Sequence, residues 1–96
     1  MLIDQPGKGL CLEGHLHFGT VMSVYQQGLP LINRQPNRVS INLSGVTHQD
    51  SSILALLSGW IRYTMEQQQQ LNYTGVPESL KQLIALNGLE AVFPIT

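Results

Sequence analysis

The segment 39–60 constrains the fold most, because it places a strand pattern directly before a helix pattern. Its first part alternates apolar and polar residues with the period of two of a β-strand; the apolar positions are Val39, Ile41 and Leu43. A polar turn follows, and Asp50 or Ser51 is expected to cap the helix that begins there. A strand that leads into a helix is a building block of α/β folds.

The part of the chain before this segment predicts two strands and a helix. A short strand at 2–3 is expected to turn at Pro6-Gly7 and pair with a strand at 10–16. From Phe18 onward, apolar residues recur at spacings of three and four, which predicts a helix that ends near Gly28. The strand that contains Val39, Ile41 and Leu43 is the third along the chain, and Gly45 is expected to end it or to form a bulge in it.

The part after this segment predicts a further strand and helix. The second helix is expected to reach about Gln68, with the glutamine run 67–70 as its solvated end. A strand at 71–75 follows, and Pro77 suits the first turn of a last helix that stops at Asn87-Gly88. We therefore predict an α/β fold, a small mixed sheet of about four to five strands with about three helices mainly on one face.

Length and charge favour one small domain that works against a partner. The chain has 96 residues, which suits a single domain over 1–96. Charged residues make up 11%, well below the roughly 25% of soluble domains, so much of the surface must be neutral polar or apolar. The formal net charge is -1 and no basic stripe exists, so nucleic-acid binding is not expected.

Targeting signals are not evident in the sequence. The N-terminal residues have no charged segment followed by an apolar one, so no secretory signal is predicted. No apolar run approaches the roughly eighteen residues that a membrane span requires. Cys11 is the one cysteine, which excludes an internal disulfide. We expect a cytoplasmic protein without direct membrane insertion.

Catalytic and metal-binding patterns find little support. Cys11 has no paired base in the sequence pattern, and no nucleophile elbow or phosphate-binding glycine loop occurs. His15 and His17 would face the same side of a strand, with His48 as the nearest further candidate, but no suitable third ligand lies close in sequence. We predict no enzyme activity, no metal and no cofactor.

Specific motifs give the chain a resemblance to a known family. The sequences INLSGV at 41–46 and DSSILALL at 50–57 resemble the signature of STAS domains, the family of anti-sigma-factor antagonists and sulfate-transporter tails. LEGHL at 12–16 is similar to the early strand of the family, and YTGVP at 73–77 with LIAL at 83–86 to its closing strand and helix. The chain looks most like the MlaB type, a cytoplasmic subunit of the phospholipid-trafficking ABC transporter of Gram-negative bacteria.

The resemblance implies a docking protein. Its partner would be the ATPase subunit of the transporter (MlaF-like) and through it the membrane permease, in the maintenance of outer-membrane lipid asymmetry. The protein would then lie in the cytoplasm, peripheral to the inner membrane. The residues expected at the docking surface are His48, Asp50, Ser51, Ser52, Ile53, Leu56 and Trp60. For Ile53 and Trp60, burial against the sheet is the competing interpretation.

Two alternatives stay open. In signalling STAS domains the residue after the aspartate is phosphorylated, which maps to Ser51 and implies an anti-sigma-factor antagonist. Ile53 stands where that family usually has glycine and is expected to add bulk beside the exposed turn, which argues against kinase recognition more than against docking. Family members often carry an acidic residue where this chain has His15 and His17. A lipid or fatty-acid carrier built around the apolar helices is the other alternative.

Overall fold

The predicted order of strands and helices is confirmed. The computed structural model describes the backbone of residues 1–96 and their side chains, except that of His48. The elements are β1 (Leu2–Gln5), β2 (Gly9–Leu16), α1 (Val21–Asn33), β3 (Arg38–Gln49), α2 (Ile53–Glu66), β4 (Gln70–Thr74) and α3 (Glu78–Leu86). None of the helices in the described chain is long and apolar enough to cross a bilayer.

The connections between strands place the helices on one face of the sheet. The strand order is β1-β2-β3-β4, with β1 antiparallel to β2 and the other neighbours parallel. The chain therefore moves across the sheet in one direction, from β2 through α1 to β3 and from β3 through α2 to β4. Because such crossovers are right-handed, both helices cover the same face.

The core lies between this face and the helices. Leu10, Ile41 and Tyr73 are register partners on three neighbouring strands, and each is 0% exposed. The Tyr73 hydroxyl donates a 2.7 Å hydrogen bond to the carbonyl oxygen of Leu57 in α2. Burial raises the pKa of Tyr73 well above its usual value, so the phenol stays neutral. The row beside it, with Cys11, Asn42 and Thr74, points to the opposite, helix-free face.

Two glycines let α1 and α2 approach each other closely. A Cβ on Gly28 would lie 2.7 Å from Cζ2 of Trp60, and a Cβ on Gly59 would lie 2.8 Å from Cε1 of Tyr25. The prediction that α1 ends near Gly28 is therefore wrong, since the helix continues to Asn33. Gly28 is a point of contact between helices and not a helix stop.

The other boundaries differ for local reasons. β3 does not end at Gly45 but continues to Gln49, and two register shifts against β2 show that the predicted bulge alternative holds. α2 ends at Glu66, two residues early, because Gln68 adopts a left-handed φ of 59°. Gln69 is more than a solvated helix end: its side-chain amide donates to the carbonyl oxygens of Ile32 at 3.0 Å and Gln35 at 3.1 Å.

The C-terminal residues follow the outer edge of β4. The amide of Tyr73 donates to the carbonyl oxygen of Pro94 at 2.7 Å, and the amide of Thr96 donates to the carbonyl oxygen of Tyr73 at 3.0 Å. Phe93 is 5% exposed and anchors this segment in the core. The segment 92–96 therefore covers the middle of an edge that β4 would otherwise leave open.

Candidate functional site

The first turns of α1 and α2 meet where the two central strands, β2 and β3, end. β2 and β3 are parallel neighbours and their last paired residues are Leu16 and Gln49. The amide of Asp50 then donates to the carbonyl oxygen of Leu16 at 3.1 Å, so the segments that follow β2 and β3 leave the sheet at the same point. We call the resulting surface the α1–α2 corner; its residues are Phe18, Met22, Asp50, Ser51 and Ala55.

Asp50 ties the two halves of the corner together. Its Oδ2 accepts a 3.1 Å hydrogen bond from the amide of Phe18, and its Oδ1 accepts from the amide of Ser52 at 2.9 Å and from the Ser52 hydroxyl. The Ser52 hydroxyl, then the amides of Ser52 and Phe18 and the neighbouring His17, hold the pKa of the Asp50 carboxyl below its usual value. Asp50 is thus ionised at neutral pH and fixes the loop before α1 to the start of α2.

The loop before α1 has its own hydrogen bonds. The amide of His17 donates to Thr20 Oγ1 at 3.2 Å, and the amide of Gly19 donates to His17 Nδ1 at 3.1 Å. The Thr20 hydroxyl lies within hydrogen-bond distance of the carbonyl oxygens of His15 and His17. These bonds define a turn in which the side chain of Phe18 is 85% exposed.

Besides Phe18 in the loop, a second large exposed apolar side chain lies at the start of α1 and lines a groove between the two helices. Met22 is 66% exposed and lines a groove of about 230 Å³ together with Tyr25, Ala55 and Arg62. Large exposed apolar side chains that continue into a groove are typical of protein interaction sites. The corner therefore combines an ordered acidic turn with a patch that a partner could cover.

The family of the chain follows from a family model that matches almost all of it. The model is described as "Mlab, STAS domain" and matches residues 2–94. The chain belongs to the Mlab-type STAS domain family. A search of curated proteins found no match.

A solved structure has the same fold as this STAS domain. It is the structure of the anti-sigma factor antagonist SpoIIAA in its unphosphorylated form, with a TM-score of 0.73 and 15% sequence identity. The similarity covers 100% of this chain and 84% of the SpoIIAA chain. At that identity the similarity establishes the fold alone, a four-stranded mixed sheet with three helices.

Part of the predicted site of this STAS domain lies at the surface. Asp50 and Ser51 are exposed at the α1–α2 corner, and Ser52, which follows them, is half-buried. Ser52 is the residue before α2, but its side chain makes no capping bond to the helix and instead donates to Asp50. The side chain of His48, also predicted at the docking surface, lies outside the described part of the structure.

Three predicted docking residues of this STAS domain need correction. Ile53 and Trp60 are 0% exposed and Leu56 is 2% exposed, because α2 turns these positions toward the sheet and α1. For Ile53 and Trp60 the competing interpretation, burial against the sheet, is therefore confirmed. Trp60 donates from Nε1 to the carbonyl oxygen of Tyr25 at 3.3 Å, and Leu56 contributes only to the floor of the groove. Because Ile53 is buried, it does not add bulk to the corner as predicted.

Two surface residues were missed by the sequence pattern. Phe18 and Met22 fit the same three-and-four spacing as the packed residues of α1, and the pattern assigned them to one apolar face. The helical pattern was expected from Phe18 onward, but α1 begins at Val21, so Phe18 lies in the loop and helical spacing does not describe it. For Met22 a signal was present, because its position is displaced around the helix from Gly28 and Ile32, the buried residues of α1.

Metal ligands do not cluster in the described part of this STAS domain. No group of three or more histidine, cysteine or acidic side chains is placed to hold an ion there. Cys11 lies on the helix-free face of the sheet, where its thiol donates to Gln5 Oε1 at 3.3 Å.

Proposed function

We propose that this STAS domain is a non-catalytic subunit that binds the ATPase of a phospholipid-transport ABC complex and regulates or stabilises it. The observation that carries the proposal is the α1–α2 corner, where the amide of exposed Phe18 bonds to Asp50 and exposed Met22 lies in the first turn of α1. The match to an Mlab-type family model supports this choice of partner. Through the ATPase, the subunit would associate with the permease at the cytoplasmic side of the inner membrane.

The geometry suggests how such a subunit would work. Burying the side chains of Phe18 and Met22 against a partner would contribute roughly 1.5–3 kcal/mol each. Because Asp50 holds the loop and the helix start together, little ordering would be needed on binding. The binding free energy would then favour whichever state of the ATPase presents the complementary surface.

A second candidate is an anti-sigma-factor antagonist that is switched by phosphorylation. The observation that favours it is the position of Ser51, which is exposed and directly follows the acidic residue at the start of α2. A phosphate there would add a charge of about −1.5 to −2 beside ionised Asp50. Binding of a protein partner to the same corner would then be weakened by repulsion and desolvation.

A pull-down from detergent-solubilised host membranes tests the first function. We compare the tagged wild type with Phe18→Asp and Met22→Asp, and we use Leu86→Asp as the control because Leu86 is also 85% exposed but lies on α3. We expect an ABC ATPase with its permease from wild type and control, and at least a tenfold loss from both corner variants. Equal recovery from all four proteins would place the interface elsewhere.

Intact-mass analysis of the protein from its host separates the second function. A population heavier by one phosphate that disappears in Ser51→Ala, together with capture of a soluble kinase-like protein and no transporter, would favour the antagonist. Unmodified protein that captures the ATPase would favour the transporter subunit. Ser51→Glu should reduce capture in either case, because the added charge lies on the same surface.

A further inference from the structure

We propose that a cleft at the far end of α2 binds a single-chain amphiphile with an anionic head. The cleft has a volume of about 680 Å³ and lies between the last turns of α2, the first residues of β3 and β4, and the C-terminal segment. Pockets that hold small ligands are typically about 300–1,000 Å³. The proposal concerns a different surface from the α1–α2 corner and does not depend on the proposed function.

Apolar side chains form the walls of this cleft. Ile61 and Met65 come from α2, Leu71 from β4, and Val92 and Pro94 from the C-terminal segment. Met65 is 70% exposed and Val92 is 64% exposed, so two large apolar side chains on separate elements face solvent at one concave site. Covering them with an apolar chain would remove this surface from water.

The donor groups of two polar side chains deeper in the cleft are already engaged within the protein. Thr64 is 1% exposed, and its hydroxyl lies within hydrogen-bond distance of the carbonyl oxygens of Trp60 at 3.0 Å and Ile61 at 2.9 Å, which share its one hydrogen. The Gln69 side-chain nitrogen donates to backbone carbonyl oxygens, including that of Ile32, whereas its Oε1 is buried without a hydrogen-bond partner. These two side chains have no donor left for a ligand, and the Gln69 Oε1 is too deeply buried for a ligand to reach, so the deeper part of the cleft favours an aliphatic chain over a polar molecule.

Charge at the cleft selects the head of the ligand. Of the described residues that line it, Arg38 alone is charged, and it is exposed at the start of β3. A guanidinium group offers paired donors that match a carboxylate or a phosphate. The described lining of the cleft is thus mainly apolar, with one arginine and no carboxylate. It therefore fits an aliphatic chain that ends in an anion.

The cleft lies at the opposite end of α2 from the α1–α2 corner. The helix has 14 residues, which corresponds to about 20 Å. A ligand in the cleft would thus leave the corner accessible. Failure of partner capture at the corner and failure of ligand binding in the cleft are separate results.

Titration of the full chain with sodium decanoate and with decyl phosphate, followed by two-dimensional amide NMR, tests the proposal. We expect saturable shifts centred on Val39, Ile61 and Leu71, and an affinity about tenfold lower in Arg38→Gln. Lys81→Gln removes the same charge from α3, away from the lining residues, and should bind like wild type. The tighter of the two ligands identifies the head group, and inorganic phosphate alone should not bind.

A second variant keeps the test independent of folding. Val92→Asp changes an exposed side chain, so the fold should persist while the new carboxylate opposes both the chain and the anionic head. Leu86→Asp is the matched control, and shortening the ligand from decanoate to hexanoate should weaken binding about twofold to fourfold per methylene. The proposal fails if shifts do not saturate, if they centre on the corner, or if Arg38→Gln and Val92→Asp bind like their controls.

Discussion

At the scale of single residues, Asp50 organises the α1–α2 corner. Its carboxylate receives amide hydrogen bonds from both sides of the corner, from Phe18 and from Ser52. Its sequence position suggested an ordinary helix cap, yet the contact with Phe18 spans 32 positions of the chain. The residue therefore sets the position of a loop as well as the start of a helix.

The lowered pKa of Asp50 predicts the pH dependence of this contact. Because the pKa is lower in the folded than in the unfolded state, the stabilisation is full above the unfolded value of about 3.9 and is lost as pH falls through the folded value. We expect the free energy of unfolding of Asp50→Ala to lie below wild type by a constant amount from pH 7 to about 5, with the difference shrinking in more acidic buffer.

Urea unfolding at several pH values measures this difference. Ser51→Ala is the control, since it keeps the carboxylate and should keep the pH dependence of wild type. A difference between Asp50→Ala and wild type that does not decline as the pH falls below the unfolded value of about 3.9 would show that the ionised carboxylate is not the source of the stabilisation.

At the scale of elements, α1 and α2 are matched by small residues. Gly28 accommodates the ring of Trp60, and Gly59 accommodates the ring of Tyr25. The same contact explains why Trp60 is buried in the core and why α1 continues through a glycine. The spacing of apolar residues identified both helices. The close approach that buries Trp60 and makes Gly28 a contact point involves residues from different parts of the chain.

Replacing Gly28 with alanine should be destabilising despite the better helix propensity of alanine. The new Cβ would lie 2.7 Å from a rigid ring atom of Trp60. Overpacking costs about 1–3 kcal/mol, whereas alanine gains at most about 1 kcal/mol over glycine in a helix. We expect a net loss of roughly 1–2 kcal/mol in the free energy of unfolding, measured with urea.

Ser23→Ala is the matched control, because Ser23 is an exposed position of the same helix. It should leave the free energy of unfolding unchanged or raise it slightly. Stabilisation of Gly28→Ala equal to that of Ser23→Ala would contradict the close contact between the helices.

At the scale of the whole molecule, the sheet has a protected centre and partly covered edges. β2 and β3 each have a strand on both sides. At the outer edge of β1, the Gln27 side chain bonds both the amide and the carbonyl oxygen of Leu2, at 2.9 and 2.7 Å. At the outer edge of β4, the backbone of residues 94–96 bonds the amide and the carbonyl oxygen of Tyr73 in the same way. Both candidate binding surfaces lie outside this centre, at opposite ends of α2.

Amide hydrogen exchange should follow this arrangement. We expect the slowest exchange at 10–12 and 41–43, in the central strands, and exchange at least tenfold faster at 17–20 and 94–96. The reason is that local opening of these two segments breaks few buried contacts, whereas exposing the amides of the central strands requires opening of the core. Equal protection of the corner loop and the central strands would contradict this prediction.

The sequence by itself determined the order of elements and the type of fold. Alternation in the third strand, three-and-four spacing in the helices, and turns at positions such as Pro6-Gly7 and Pro77 are local patterns, so the strand and helix order could be predicted from them. The motifs at 41–46 and 50–57 likewise identified the family, which the family model confirms.

Only the tertiary structure decided which apolar side chains remain at the surface. Ile53, Leu56 and Trp60 were predicted to meet a partner and are buried, whereas Phe18 and Met22 share the spacing of packed residues and are exposed. Periodicity states that a helix has an apolar face, but the width of the covered part depends on where α1, α2 and the sheet come to lie. That placement depends on close contacts such as Gly28 with Trp60 and on long-range hydrogen bonds such as Asp50 with Phe18, neither of which is encoded in a local pattern.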